Sequence, residues 1–335
     1  MSSGLKLIEL KIKVSCVEFF KTLDPEIEKE TRGLTVSIRD SHCHFFSRNF
    51  FETLIHEQAS PNIKNIDEII TKHLGWETPE SPELLSDRWC QELDRHDVAQ
   101  AALIASVPGD EDSVASALVR HPKRFVGFFM LDPTRPDSCS RTKRALLELG
   151  LQGVCLFPAM HRYRLDDDVA LQIFEIAASV ENAAVFVHCG ALTVGVRKKL
   201  KLPCDFDIRL GNPLDLKIAA ARHPKLPIII PHFGAGFFRE ALMAADLHPN
   251  IYFDTSSTNA WIKYHPKLTL EDVFRQALTV IGADRLLFGT DSSFFPRGWH
   301  TPVYERQKSA FTDLGLDSQT VKKILQDNFA RLFEA

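Results

Sequence analysis

What most constrains the fold of this chain is a recurrence of short apolar runs that do not alternate with polar residues. They cover residues 34–38, 99–105, 125–131, 153–157, 184–187, 228–230, 251–253 and 286–288. Runs rich in Val, Ile, Leu and Phe without a period of two are how strands buried on both faces read. Between them lie segments with helical periodicity or helix-start signals, at 86–96, 110–121, 138–149, 166–180, 213–222, 237–247 and 270–281. Eight strands with intervening helices predict an α/β fold, a closed parallel (β/α)8 TIM barrel. A doubly wound open sheet is the alternative, but it calls for a Gly-rich turn after the first strand, and no GxGxxG stands there.

The length of 335 residues suits one barrel with loop insertions. Residues 1–33 precede the first run and are expected to form an N-terminal extension, a strand and helix that pack on the barrel and close its bottom. Residues 34–335 form the single barrel domain. A long insertion after strand 1, residues 45–85, is expected to cap the mouth. Residues 300–335 supply the last helices, including 318–326 and 328–333.

The formal net charge is −4, so no bulk electrostatic case exists for a nucleic-acid or anionic-membrane partner. The seven cysteines are odd in number and lack CxxC spacing, which reads as reduced thiols rather than a disulfide framework. The first residues lack the unbroken apolar core of a signal peptide, and no run is long enough to cross a bilayer. A cytoplasmic location is the expectation.

In a parallel barrel the chemistry lies at the C-terminal ends of the strands. Those ends read Asp40-Ser41-His42-Cys43-His44, Val187-His188-Cys189, Pro231-His232-Phe233-Gly234 and Gly289-Thr290-Asp291-Ser292. Residues i and i+2 of a strand face the same side, so His42 and His44 can point inward together and Cys43 away. Imidazole with carboxylate suits Zn²⁺, Mn²⁺ or Fe²⁺. A lone HxH or a lone strand-end histidine is more often buried or bonded to backbone. Four polar strand ends in one barrel favour His42, His44, His188 and Asp291 as ligands of one divalent ion. His232 admits three readings, as ligand, acid/base or structural residue. The acid/base reading is preferred, because the other four already supply a ligand set and a neutral imidazole beside metal-bound water suits proton transfer. Asp291 can also accept a proton there. Gly234 and Gly236 are expected to let backbone approach a ligand.

These pieces resemble the amidohydrolase superfamily, in particular the amidohydrolase-related branch that includes aminocarboxymuconate-semialdehyde decarboxylase, resorcylate-type decarboxylases and predicted TIM-barrel metal-dependent hydrolases. The matching stretches are DSHCH at 40–44, VFVH at 185–188, GNPLDLKIAAARHPKLPIIIPHFG at 211–234, LLFGTD at 286–291 and ILQDNFARLF at 324–333. HxH alone is loose; the ordered set is specific. The resemblance implies the barrel, a zinc held by His42, His44, His188 and Asp291, His232 as the catalytic histidine, and a homodimer. Binuclear members carry a bridging Lys at the end of strand 4. Here that strand reads Gly153-Val154-Cys155-Leu156-Phe157-Pro158, which favours a mononuclear site. Cys155 is read as a buried thiol in preference to a soft ligand.

The substrate is expected to be a small molecule. Arg48, His161, Tyr163, Arg297 and Trp299 are candidate contacts for an anionic substrate; the same residues serve equally as rim residues in ordinary salt bridges. Two reactions remain in view, metal-assisted hydrolysis, which is preferred, and non-oxidative decarboxylation of an aromatic or unsaturated acid.

Overall fold

A computed structural model describes residues 36–57 and 65–334. The chain divides into two units, Met1–Val36 and Ser37–Ala335. The expected N-terminal extension lies outside the described residues; the barrel is the second unit. Its strands are β1 Ile38–Phe45, β2 Val98–Ala105, β3 Phe125–Leu131, β4 Gly153–Leu156, β5 Ala184–Val187, β6 Ile228–Ile230, β7 Ile251–Asp254 and β8 Leu286–Leu287. They pair in parallel in the order β1 to β8. The chain beyond β8 returns to β1 through Ser41 N to Phe288 O at 2.8 Å, Asp291 N to His42 O at 3.0 Å and His44 N to Ser292 O at 2.7 Å. The expected (β/α)8 barrel is therefore present.

The first strand spans Ile38–Phe45, continuing past the apolar run that stops at Ile38 and carrying the HxH stretch in the strand as expected. Residues 43–45 pair with β2, and Ser41 and His44 bond to the chain after β8, so pairing on both sides keeps this polar stretch extended. A register shift between Asp40 and Cys43 marks a bulge, a device that re-aims side chains.

Helices Pro82–Arg95, Glu111–Arg120, Ser138–Leu147, Asp168–Ala178, Phe238–Leu247 and Leu270–Ile281 lie between the strands near the expected positions. The last starts with a capping box, Thr269 with Asp272, and stops at Gly282, whose φ of 74° suits glycine. The expected helix at 213–222 is instead a 3₁₀ turn, Pro213–Leu216, followed by Lys217–Arg222. Asn212 accepts from Leu214 N and Pro213 has no N–H, which tightens the entry. The expected helix at 318–326 passes into a π turn at Lys323–Asp327.

Strand parity sorts the core. Ala102, Ile104, Phe128, Met130, Cys155, Phe186 and Leu287 meet inside the barrel, where the C-terminal helix adds Phe329, Leu332 and Phe333. Gln152 Nε2 donates to Phe333 O and Arg39 pairs with Glu334, placing that helix under the N-terminal ends of the strands. The opposite face of β3 meets helices: a Cβ on Gly127 would lie 2.7 Å from the Leu118 side chain. Burying a Phe side chain contributes about 1.5–3 kcal/mol, so this floor anchors the structure on which the strand ends stand.

The described part of the insertion after β1, residues 46–57 and 65–81, forms a folded cap. Helix Arg48–His56 and the turns through Leu74 bury Phe50, Phe51, Leu54, Ile70 and Trp76 against Val107, Val196 and Leu200. Ser47 accepts from Phe50 N and donates to Asp110, which fixes the helix start. No helix among the described residues is long and apolar enough to cross a membrane.

Candidate metal centre

Strand parity brings His42 and His44 together at the mouth end of β1. Their Nε2 atoms are 3.3 Å apart. Asp291 reaches them from the turn after β8, with Oδ1 3.2 Å from His44 Nε2 and 3.8 Å from His42 Nε2. Asp291 has φ 61° and His232 φ 54°, left-handed values that are uncommon outside glycine. Strain of this kind concentrates at functional sites.

The hydrogen-bond network assigns the protons. His42 Nδ1 lies 3.2 Å from Asp254 Oδ2, and an ionised carboxylate only accepts, so Nδ1 carries the hydrogen and Nε2 is bare. The Ser106 hydroxyl gives its single proton to Ile104 O at 2.9 Å. It therefore accepts from His44 Nδ1 at 2.7 Å, leaving His44 Nε2 bare as well. Two nitrogen lone pairs and a carboxylate oxygen thus face one another with no hydrogen between them, which is repulsive unless a cation stands among them. Asp254 and Asp291 pull His42 towards its protonated form against the opposing effect of burial. One proton there relieves one contact; an ion at the centre relieves all three. Ligand atoms roughly 2.0–2.1 Å from a tetrahedral ion stand about 3.3 Å apart. The 3.3 and 3.2 Å separations fit that spacing.

A second cluster, His42, His232 and Asp254, also meets the distance requirement for a metal. It is already filled with hydrogens. Asp254 accepts from Ser41 Oγ, Ser256 N and His42 Nδ1. Asp254 therefore orients His42 from behind.

His188 lines the same cavity but stands outside the tight triad, its ring 5.2 Å from that of His232 and stacked on Phe157. Its buried Nδ1 has no partner among the described residues. Burial and the neighbouring His232 and His42 push its pKa well down, so it stands neutral and able to donate a lone pair. His232 lies 5.1 Å from His42, ring to ring. Its Nδ1 lies 2.9 Å from Ser256 Oγ and 3.2 Å from Ser256 O; the carbonyl can only accept, so Nδ1 carries the hydrogen and Nε2 is left as an acceptor.

Gly234 and Gly236 do not do what was expected of them. A Cβ on Gly234 would meet Ala241 at 2.9 Å, and neither glycine lines the cavity. The close backbone approach is at Gly190, φ 75°, where a Cβ would lie 2.3 Å from Gly234 O. That glycine seats the loop after His188 against the turn after His232.

A cavity of about 600 Å³ opens over the triad. Of the candidate contacts, His161 and Arg297 line it; Arg48, Tyr163 and Trp299 do not. Arg48 lies on the outside of the cap, paired with Glu52 and Asp67. Tyr163 is buried behind the wall, its hydroxyl without a partner among the described residues. Trp299 packs behind the β1–β8 junction, where Nε1 donates to Asp40. Arg48 opens the cap helix while Tyr163 and Trp299 sit on loops, and in each case tertiary packing sets the direction of the side chain. Cys43 and Cys155 are buried, and burial pushes both thiols up.

Three residues that orient the site are not singled out by sequence. Ser106 holds His44. Asp254 ends β7 and shares the inward parity of Tyr252, a signal that is legible in IYFD. Asp40 is fully buried and accepts from His42 N, Thr290 N, Thr290 Oγ1 and Trp299 Nε1, tying the Asp291 turn to β1. Burial pushes its pKa up to about 6 despite those bonds. Asp254→Asn is expected to weaken divalent-metal affinity by roughly 10–100-fold while the barrel stays folded. Competition with a fluorescent zinc chelator measures it; unchanged affinity would remove Asp254 from the orienting role.

A family model described as Amidohydrolase matches residues 40–335. The 2-amino-3-carboxymuconate-6-semialdehyde decarboxylase of Dictyostelium discoideum is 27% identical over 167 residues, 48% of this chain and 44% of that protein. The aligned stretches span 10% and 44% of the two curated relatives. The structure of 5-carboxyvanillate decarboxylase from Novosphingobium aromaticivorans, with bound manganese and 3-methoxy-4-hydroxy-5-nitrobenzoic acid, superposes with a TM-score of 0.61 at 16% identity, covering 90% of this chain and 98% of that one. A probable 2-pyrone-4,6-dicarboxylic acid hydrolase from Acinetobacter baumannii, with citric acid bound, gives 0.57 at 16% identity, covering 89% and 100%. At those identities the two structures speak for the fold.

Proposed function

The chain belongs to the amidohydrolase family, and from that premise we propose that it is a mononuclear metal-dependent hydrolase of a small, anionic, ring-shaped substrate. His42, His44 and Asp291 would hold the ion, with His188 as the fourth ligand. Zinc is the preferred ion, with manganese or iron(II) as alternatives. When bound, such an ion lowers the pKa of water and polarises a carbonyl oxygen. The apolar surroundings of Cys155 support a single-ion site, since β4 offers no lysine to bridge two.

The observation that carries the reading is the state of the two proton-handling side chains. His232 commits its Nδ1 hydrogen to the Ser256 carbonyl, so its free nitrogen is an acceptor. Asp291 is a carboxylate whose oxygen lies 3.2 Å and 3.8 Å from the bare nitrogens of His44 and His42, an acceptor with no hydrogen of its own. Hydrolysis starts by removing a proton from water, which is an acceptor's task. His232 takes that proton at Nε2 and returns it to the leaving group. The wall suits an anion, with Arg135, Arg197, Lys199 and Arg297 around it, and the stacked rings of Trp76 and Phe294 suit a flat body.

Non-oxidative decarboxylation is the second reading, favoured by the likeness to the D. discoideum decarboxylase. Zinc-loaded protein incubated with lactones, amides and aromatic carboxylates in H2¹⁸O separates the two. Hydrolysis puts ¹⁸O into a product carboxyl or hydroxyl group. Release of CO2 without label at the cleaved centre would replace the hydrolase reading with the decarboxylase one.

A further inference from the structure

Four cationic side chains line the cavity, and three of them are occupied. Arg197 pairs with Glu57 at 2.8 Å and Arg135 with Asp132 at 3.5 Å. Lys199 donates to Leu74 O at 3.4 Å and sits over the Trp76 ring at 5.2 Å, so it ties down the cap. Arg297 has no carboxylate within 4 Å among the described residues. One guanidinium nitrogen, Nη2, donates to Asp291 O at 3.1 Å and to Ser293 Oγ at 2.7 Å. The plane rests over Phe294 at 4.6 Å, and Phe294 stacks on Trp76 at 4.0 Å. The head group is therefore held on two sides beside the triad. Of the five donors of a guanidinium, three remain without a protein partner among the described residues.

We infer that Arg297 is a specificity-determining residue that binds a carboxylate of the substrate beside the metal ligands and so selects acids over their neutral counterparts. The inference rests on the reading of the cavity as a site for anionic substrates. A guanidinium oriented before the ligand arrives loses little freedom on binding, and its hydrogen bonds to a carboxylate are charge-assisted. The anchor to Asp291 O places the carboxylate by the strand end that carries the triad. A lysine at this position would keep a charge but lose the stacking on Phe294 and the planar fork.

The test uses full-length protein loaded with zinc, and calorimetric titration with benzoate, phthalate and benzamide. Wild type is expected to bind the two carboxylates more tightly than the amide. Arg297→Gln should weaken both carboxylates tenfold or more, leave benzamide within twofold and leave zinc per chain unchanged. Arg297→Lys should recover part of the loss. Carboxylate affinity within twofold of wild type in Arg297→Gln overturns the inference. So does an equal loss for all three ligands, or a wild type that binds neither carboxylate. Zinc content and ¹⁸O incorporation are read on the same preparations. A wild type that discriminates through Arg297 yet fails both readouts would refute the metal-dependent hydrolase and leave the carboxylate site standing.

Discussion

Asp291→Asn is expected to lower turnover by roughly 10²–10⁴-fold, the range associated with losing a positioned proton-handling group. The barrel should stay folded, because Asp291 N still donates to His42 O and the turn is tied through Thr290 to Asp40. The substitution removes charge from one of three atoms that face one another across 3.2–3.8 Å. An amide is a weaker metal ligand and a far weaker proton acceptor. Circular dichroism checks the fold, and steady-state kinetics on whichever panel substrate is cleaved gives the rate. Turnover within about threefold of wild type would make Asp291 a turn residue and nothing more.

Substituting two neighbouring histidines is expected to separate two roles. His232→Ala should keep zinc content near wild type and cut turnover by roughly 10²-fold or more, since the Nε2 acceptor is lost. His188→Ala should lower metal affinity together with turnover. The geometry motivates the contrast. His232 is tethered through Nδ1 to Ser256, whereas His188 presents a buried nitrogen with no partner among the described residues. Equal loss of metal in both variants would make His232 a ligand and reverse the assignment.

The elements legible in the sequence are those whose cause is local. β3, β5 and β6 coincide with their apolar runs, and Leu270–Ile281 coincides with the helix announced by Thr269 and Asp272 and stopped by Gly282. The meeting of His42 with His44 follows from strand parity, and the approach of Asp291 from its place at the end of the neighbouring strand. The features that sequence does not report have a tertiary cause. The register shift in β1 between Asp40 and Cys43 arises where the strand pairs with β2 on one side and the chain after β8 on the other. Arg48, Tyr163 and Trp299 sit near the mouth in sequence but turn to Asp67, to the protein interior and to Asp40, and only the folded cap and barrel decide those directions. Asp254 and Ser106 act through the far nitrogen of each triad histidine, across 212 and 62 residues; the parity of IYFD turns Asp254 inward, but the partner it meets is set by the fold.

The central claim is that the bare lone pairs of His42 and His44 meet Asp291 around one divalent ion, and metal content of the purified protein tests it most directly. Inductively coupled plasma mass spectrometry should find about one zinc, manganese or iron per wild-type chain. Chelation should remove the ion together with activity, and re-addition should restore both. His42→Ala and His44→Ala should each carry less than a tenth of the wild-type metal. Folded wild-type protein that retains full activity after the metal has been stripped would contradict the claim.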